Sequence, residues 1–145
     1  MTFGQKIRIA RGKESQEAIA KKLAISANTL GAYENNRILP PLESFKKICL
    51  LFDLSADDIF SIKDTSNTPN NKGKMLNHKL ANIRDNMDFS QEQMANFIDV
   101  SISTWSKYES GNRNPPLDRF KIICERCKVS ADYLLGLKEK KLGGN

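Results

Sequence analysis

The chain contains one internal repeat, and this repeat limits the folds that are open to it. Residues 15–60 align with residues 90–135 without a gap at an offset of 75 (90 − 15). Upstream, residues 3–11 align with residues 76–84 at an offset of 73 (76 − 3), so the first copy is two residues shorter in the loop before Ser15. Solenoid and propeller repeats have periods of roughly 20–50 residues. The longer period here predicts a duplicated domain.

Size and charge restrict the class of protein further. Each copy has about 65 residues, which is close to the lower limit for a domain that folds without disulfides or metals. The 145 residues include 23 Lys and Arg against 17 Asp and Glu, a formal charge of +6, and 39% are hydrophobic. This composition is typical of a basic globular protein. A moderate positive charge suits a polyanionic partner but does not by itself select one.

The cysteines and the apolar pattern bear on the compartment. Three cysteines, Cys49, Cys124 and Cys127, are too few for a disulfide framework and favour a reducing environment. Cys49 and Cys124 occupy equivalent positions on an apolar helix face, so we expect them in the core. The Cys124–Cys127 pair lacks a second cysteine pair, so we predict no metal site. Without a signal-peptide segment or a run of 18 apolar residues, we expect a soluble, cytoplasmic protein.

Apolar residues recur at helical spacing throughout, and no stretch alternates as a strand would. Six serines at equivalent positions in the two copies are predicted N-caps: Ser15, Ser26, Ser55, Ser90, Ser101 and Ser130. The sequence therefore predicts an all-α protein with five helices in each copy. The predicted boundaries are a first domain at 1–62, a polar linker at 63–74, a second domain at 75–137 and a basic tail at 138–145.

The second and third predicted helices of each copy have the features of a helix-turn-helix. Ala20 and Ala95 are predicted to lie where the two helices cross. A larger side chain at this position would push the two helices apart. Ile25 and Val100 fill the turn from the core side. The segment from Ser26 onward is then free to present the N-terminal half of its helix outward.

These residues resemble the lambda-repressor-like Cro/C1 (XRE) family of helix-turn-helix domains. The second copy carries the pattern as IRDNMDFSQEQMA, then DVSISTW, then YESGNRNP, then VSADYLLG. The resemblance covers about 120 of the 145 residues, all but the linker and the tail. It implies two tandem five-helix domains joined by a flexible linker, and the duplication allows an internal pseudo-dimer.

The resemblance also implies a set of DNA-binding residues. At the start of the second helix, Gln16 and Gln91 would touch a phosphate or a base edge. At the start of the third helix, the hydroxyls of Ser26, Thr29, Ser101 and Thr104 would donate to phosphates with help from the helix dipole. Base reading would fall to Ala27, Asn28 and Ala32 in the first copy and to Ile102, Ser103 and Lys107 in the second. After the third helix, Arg37, Asn112 and Arg113 would contact the DNA backbone.

The chemistry of the two base-reading sets differs. Asn28 can bond to adenine N6 and N7, while Ala27 and Ala32 can only meet a thymine methyl group. Lys107 can reach guanine O6 and N7 or a phosphate, and Ile102 suits a thymine methyl group. The sequence therefore predicts an imperfect, asymmetric DNA site.

Other prominent residues have structural explanations. The resemblance implies internal ion pairs between Arg11 and Glu34 and between Arg84 and Glu109. Trp105 occupies the core position of Leu30, and we expect Tyr33 and Tyr108 to be packing residues.

The sequence offers no constellation of catalytic residues, so we predict that the protein is not an enzyme and needs no cofactor or metal. The leading hypothesis is a sequence-specific double-stranded DNA-binding protein, a transcriptional repressor or autoregulator of bacterial or mobile-element type. It would act as a monomer that reads two half-sites. One alternative is an accessory factor at a plasmid or phage processing site. Another is an antitoxin-like protein-interaction module in which only the second copy reads DNA.

Overall fold

The computed structural model describes residues 1–70 and 74–137, and every regular element in these residues is a helix. This confirms the predicted all-α fold with tandem helical repeats. The predicted tail and residues 71–73 of the predicted linker lie outside the described residues. Within the described part of the chain, no helix is long and apolar enough to cross a membrane.

The chain divides into two compact units, Met1–Leu54 and Ser55–Asn145. The first unit contains α1 (Phe3–Arg11), α2 (Gln16–Leu23), α3 (Ala27–Glu34) and α4 (Leu42–Phe52). The second contains α5 (Ala56–Phe60), α6 (Leu76–Asn86), α7 (Gln91–Phe97), α8 (Ile102–Ser110), α9 (Leu117–Cys127) and α10 (Ala131–Leu135). The repeat boundaries place α5 in the first domain, whereas its contacts place it in the second unit.

The six serines that were predicted to be N-caps occupy the N-cap positions of their helices. The hydroxyl of Ser15 accepts a hydrogen bond from the Ala18 amide, and that of Ser90 accepts one from the Gln93 amide. Gln93 returns a bond to the Ser90 backbone, which completes a capping box. Each bond satisfies an amide that the helix itself leaves without a partner.

Each unit has its own apolar core. In the first unit the core includes Ile7, Ile19, Leu30 and Ile48, and in the second it includes Leu80, Met94, Ile98, Trp105, Phe120 and Ile123. All three cysteines are buried, as expected for Cys49 and Cys124. Burial raises the pKa of the Cys127 thiol to about 12, so this thiol stays protonated at neutral pH.

Helices α1 and α3 approach each other closely at Gly4. The Gly4 amide donates to Oδ1 of Asn36 (3.0 Å), and Asn36 adopts a left-handed conformation with φ of 59°. The second unit reverses this pair: Asn77 stands at the position of Gly4, and Gly111 stands at the position of Asn36 with φ of 81°. Nδ2 of Asn77 donates to the Glu109 carbonyl group (3.3 Å). One asparagine and one glycine thus connect these helices in both units, with their positions exchanged.

The N-termini of α5 and α10 cap each other. The carboxylate of Asp132 accepts from the Ser55 hydroxyl and from the Ala56 amide, both at 2.6 Å. The carboxylate of Asp57 accepts from the equivalent groups of the other helix, the Ser130 hydroxyl (2.5 Å) and the Ala131 amide (2.6 Å). The two short helices are therefore joined by four hydrogen bonds to carboxylates.

The segment after α5 is also held by hydrogen bonds within the second unit. The amide of Asn67 donates to the Lys128 carbonyl group (2.8 Å), and its side chain donates to the Cys127 carbonyl group (3.0 Å). The Ser130 amide donates to the hydroxyl of Thr68 (2.8 Å). This half of the segment that was predicted to be a flexible linker is thus anchored by hydrogen bonds.

The close approach at Gly4 generates a stability prediction. A Cβ atom at this position would lie 2.3 Å from the Glu34 carbonyl oxygen, a backbone atom that cannot move independently of α3. We expect Gly4→Ala to lower the free energy of unfolding by about 1–3 kcal/mol, the usual cost of overpacking. Urea denaturation followed by circular dichroism measures this difference.

Gly31→Ala is the matched control, because a Cβ atom there would meet only the Gln16 side chain, at 3.7 Å. This substitution should be neutral or should stabilise α3 by up to about 1 kcal/mol through helix propensity. Equal stabilities of the two variants would contradict the packing argument.

Candidate nucleic-acid interface

In each unit, two helices are joined by a short turn, of three residues between α2 and α3 and of four residues between α7 and α8. After Leu23, Ala24 adopts a left-handed conformation (φ 58°, ψ 41°), and the Ile25 amide donates back to the Ala20 carbonyl group at 3.0 Å. In the second unit Asp99 has φ of 60°, and the Val100 amide donates to the Ala95 carbonyl group at 2.9 Å. These bonds fix the angle between the helices and produce the predicted tight turns.

A buried carboxylate links three helices of the first unit. Arg11 donates to both oxygens of Glu34, from Nε at 2.7 Å and from Nη2 at 3.0 Å. Nε2 of Gln16 donates to the same carboxylate at 3.0 Å. Because Arg11 lies on α1, Gln16 on α2 and Glu34 on α3, this network fixes α3 relative to both preceding helices. The predicted ion pair is confirmed.

The second unit contains the equivalent network. Arg84 donates to both oxygens of Glu109 at 2.6 and 3.1 Å, and Gln91 donates at 3.3 Å. Nε1 of Trp105 is a further donor to this carboxylate. Trp105 itself is fully buried, which confirms its predicted place in the core.

The pKa values of the Glu34 and Glu109 carboxyl groups reflect a balance between burial and hydrogen bonding. Burial favours the neutral form of Glu34 and Glu109, but the hydrogen bonds from Arg11 or Arg84 and from the glutamine favour the charged form. The net effect lowers the pKa of both carboxyl groups. The hydrogen bonds that Arg11 and Arg84 donate to these glutamates are the largest cause of the raised pKa of each arginine. Both pairs are therefore ionised at neutral pH.

The networks limit what Gln16 and Gln91 offer to DNA. Both side chains are half-buried, and each uses one of its two N–H donors on the internal glutamate. The second N–H and the amide oxygen remain for an outside partner. The predicted contact of these residues with a phosphate or a base edge is compatible with this geometry and remains a prediction.

The third helix of each repeat begins with a serine cap. The hydroxyl of Ser26 accepts from the Thr29 amide (3.0 Å) and lies 2.8 Å from the Thr29 hydroxyl. Ser101 accepts from the Thr104 amide (3.0 Å) and donates to the Thr104 hydroxyl (2.9 Å). The first turn of each helix thus combines hydroxyl groups with the positive end of the helix dipole, an arrangement that favours anions.

The predicted base-reading residues differ in exposure. Ser103 and Lys107 are both exposed, and they share one face of α8 because they are four residues apart. Ile102, next to Ser103 in the chain, is 46% exposed. In the first unit Asn28 is exposed, and its side chain makes no hydrogen bond within the described residues. Ala27, by contrast, packs against the core of this unit.

Ala32 is only 6% exposed, so it offers little surface to a base. The exposed reading surface of the first unit is therefore smaller than the residue pattern implied. Asn28 is its main polar group among the residues predicted to read bases.

The loops after these helices also differ. Arg37, Asn112 and Arg113 are all exposed, as backbone-contacting residues must be. In the first unit Ile38 and Leu39, at the positions of Arg113 and Asn114, are 51% and 58% exposed.

Sequence reasoning did not identify Arg8 as part of this region. Its guanidinium donates to the Asn35 side chain at 2.7 Å and lies 3.7 Å from Glu34. Arg8 and Arg11 are three residues apart on α1 and therefore share a helix face. This spacing could have predicted that Arg8 also lies near Glu34.

The two helix pairs with their capped third helices define a tandem helix-turn-helix protein. A family model described as a helix-turn-helix domain matches residues 5–64 and 77–140. The chain belongs to this XRE-type helix-turn-helix family, which confirms the resemblance noted in the sequence.

Several bacterial regulators are similar to part of this chain. The uncharacterized HTH-type transcriptional regulator YobD of Bacillus subtilis is 34% identical over 65 residues, which cover 45% of this chain and 58% of that protein. The cryptic phage CTXphi transcriptional repressor RstR of Vibrio cholerae is 34% identical over 61 residues, with 42% and 54% covered. The HTH-type transcriptional regulator AnsR of Bacillus subtilis is 29% identical over 63 residues, with 43% and 54% covered.

The chain thus spans somewhat more than half the length of these relatives. No solved structure matches it significantly.

The lowered carboxyl pKa values generate a prediction about acid stability. A carboxyl group whose pKa is lowered by folding stabilises the fold above its unfolded pKa, and this stabilisation is lost as the pH falls through the folded pKa. We therefore expect the melting temperature to fall as the pH drops below about 4.5, the ordinary pKa of a glutamate, because the unfolded chain then binds protons at Glu34 and Glu109 that the folded state binds only at lower pH.

Glu109→Gln should lower the free energy of unfolding at pH 7 by about 1–3 kcal/mol and should weaken the dependence on acid pH. Glu125→Gln, at an exposed position of α9, is the control. Thermal melts from pH 3 to pH 7 measure both effects. The same acid dependence in Glu109→Gln as in the unsubstituted protein would exclude this glutamate as the cause.

Proposed function

We propose that this protein is a cytoplasmic, sequence-specific double-stranded DNA-binding protein that acts as a transcriptional repressor or autoregulator. The proposal depends chiefly on one observation: each unit holds a serine-capped helix whose first turn carries exposed polar side chains. In helix-turn-helix proteins this is the helix that enters the major groove. The similarity to bacterial proteins named as transcriptional regulators and repressors supports the regulatory role.

The second unit has the better equipped reading surface. Lys107 offers an ammonium group to guanine or to a phosphate, and Ser103 offers a hydroxyl on the same face. Ile102 offers an apolar surface that suits a thymine methyl group. Arg113 and Asn112, just beyond the helix, are placed to bind the DNA backbone and so to position the reading residues.

The first unit would read fewer bases. Asn28 would recognise adenine, with Arg37 on a phosphate, while burial leaves Ala32 little part in the contact. We therefore propose that the two half-sites differ in sequence and that the first contributes less to specificity.

The mutual capping of α5 and α10 supports an internal pseudo-dimer. Equivalent helices of the two repeats meet through equivalent bonds, which is the relation between subunits in a two-fold symmetric dimer. One chain would then supply two reading helices, and DNA binding would require no second chain. Titration of a bipartite site should accordingly give a Hill slope near one.

A second candidate function is favoured by the loop after α3. The exposed pair Ile38 and Leu39 stands where the second unit has Arg113 and Asn114, and apolar side chains are poor ligands for phosphates. On this alternative the first unit binds a protein, as an antitoxin does, and only the second unit reads DNA.

Selection from a random duplex DNA library at about 150 mM salt, where non-specific phosphate binding is weak, distinguishes these candidates. We expect enrichment of a two-part motif with unequal halves. A single short motif would favour the second candidate. Salt-sensitive binding without enrichment would contradict both.

Two substitutions test the assigned readers on the selected site. We expect Lys107→Ala and Asn28→Ala each to weaken binding by about 5- to 100-fold, with relaxed specificity only in the half-site that the residue reads. Fluorescence anisotropy with wild-type and mutated half-sites measures both effects.

Lys63→Ala, at an exposed position between the repeats, removes the same charge as Lys107→Ala and serves as the control. If Lys107 binds only a phosphate, its loss will weaken binding to all sequences equally and lower the salt slope by about one. An unchanged affinity of Asn28→Ala would remove the first unit from base reading.

A further inference from the structure

The contact between α5 and α10 is built from the same tripeptide on both sides. Ser55-Ala56-Asp57 and Ser130-Ala131-Asp132 are identical, and each supplies one hydroxyl donor, one amide donor and one carboxylate acceptor. A surface whose donors and acceptor match its own is self-complementary, as in a two-fold homodimer. Nothing in these bonds distinguishes the two repeats chemically.

We propose that the N-terminal face of α10 is a docking surface for α10 of a second copy of this chain, and that α5 normally occupies it within the chain. In such a pair, Asp132 of each chain would accept from Ser130 and Ala131 of the other. The bonds would be the ones that α5 now makes, with each Asp57 replaced by Asp132. The surface is covered in the monomer: Ser130, Ala131 and Asp132 are 7%, 0% and 5% exposed.

The apolar part of the contact can be exchanged as well. The ring of Phe60 lies 6.2 Å from that of Phe120 on α9, measured between the ring centroids. The residue equivalent to Phe60 in the second repeat is Leu135, at the same offset of 75 (135 − 60). A second α10 would therefore present leucine to Phe120, and this change retains an apolar contact.

The intramolecular partner has two advantages over a second chain. It is tethered, which gives an effective concentration on the order of 1 mM for a short connection. It also brings Asn67 and Thr68, whose three bonds to residues 127–130 add to those of the helices. We therefore expect the unsubstituted protein to remain monomeric at micromolar concentration and the docking surface to pair between chains only when α5 is displaced.

The test is to displace α5 in the full-length chain. Asp57→Arg removes the acceptor for the Ser130 hydroxyl and the Ala131 amide and introduces a cation at a helix N-terminus, where it is disfavoured. The tripeptide on α10 is left intact. We expect sedimentation equilibrium to show a monomer for the unsubstituted protein and a concentration-dependent dimer for Asp57→Arg, with an apparent mass that approaches twice that of the monomer.

Two variants serve as controls. The double variant Asp57→Arg/Asp132→Arg lacks the carboxylate on both helices and should be monomeric. Asp58→Arg changes the charge equally at the next, exposed position of α5 and should also be monomeric. A monomeric Asp57→Arg would overturn the proposal, and so would a double variant that dimerises as strongly as the single one.

Circular dichroism establishes that the variants remain helical. If Asp57→Arg loses its helical signal, Asp57→Asn removes the charge of the acceptor with little change in shape and is measured in the same way. We expect this milder variant to dimerise more strongly than the unsubstituted protein. A dimerisation constant no stronger than that of the unsubstituted protein would overturn the proposal as well.

Discussion

The buried glutamate at the end of the third helix is the interaction on which each helix-turn-helix depends. A carboxylate that is 2% exposed, as Glu34 is, would cost several kcal/mol if it were charged and unpaired. Two arginine N–H groups and one glutamine N–H group offset that cost, and they come from the two helices that precede α3. The position of the third helix, which we propose as the reading helix, is thus fixed by a buried ion pair. Both units keep this network, although the residues proposed to read bases differ between them.

The duplication separates structural from recognition constraints. The exchange of Gly4 and Asn36 for Asn77 and Gly111 changes both members of a contact together, so the connection between the helices survives in a different form. The residues proposed to read bases show no such compensation, because the exposed side chains of Asn28 and Ser103 make no hydrogen bond within the described residues that would require a matching change. Sequence differences between the two copies are therefore paired at this internal contact, whereas those at exposed positions such as Asn28 and Ser103 are independent.

Local features of this fold were predictable from sequence because they depend on residues three or four positions apart. The cap of Ser26 on Thr29 is such a feature, and so is the capping box of Ser90 and Gln93. The burial of Ala32 was not predictable in this way, since a small apolar residue on a short helix fits an outer or an inner face equally well. The bonds of Asp57 and Asp132 join residues more than 70 positions apart, and helical periodicity carries no signal for them. The identity of the two tripeptides was a signal, but it does not by itself show that they meet.

The mutual caps of α5 and α10 and the proposed reading helices are subject to different constraints. In the contact between α5 and α10, each tripeptide must both donate and accept, so a change in one copy weakens bonds that both helices use. The side chains proposed to read bases take no part in these four bonds, so they can change without weakening them. A symmetric contact between equivalent helices of the two repeats is therefore compatible with proposed reading helices that differ in sequence. Because the contact between the repeats and the proposed DNA contact lie on separate helices, the symmetry of the first does not require the second to be symmetric.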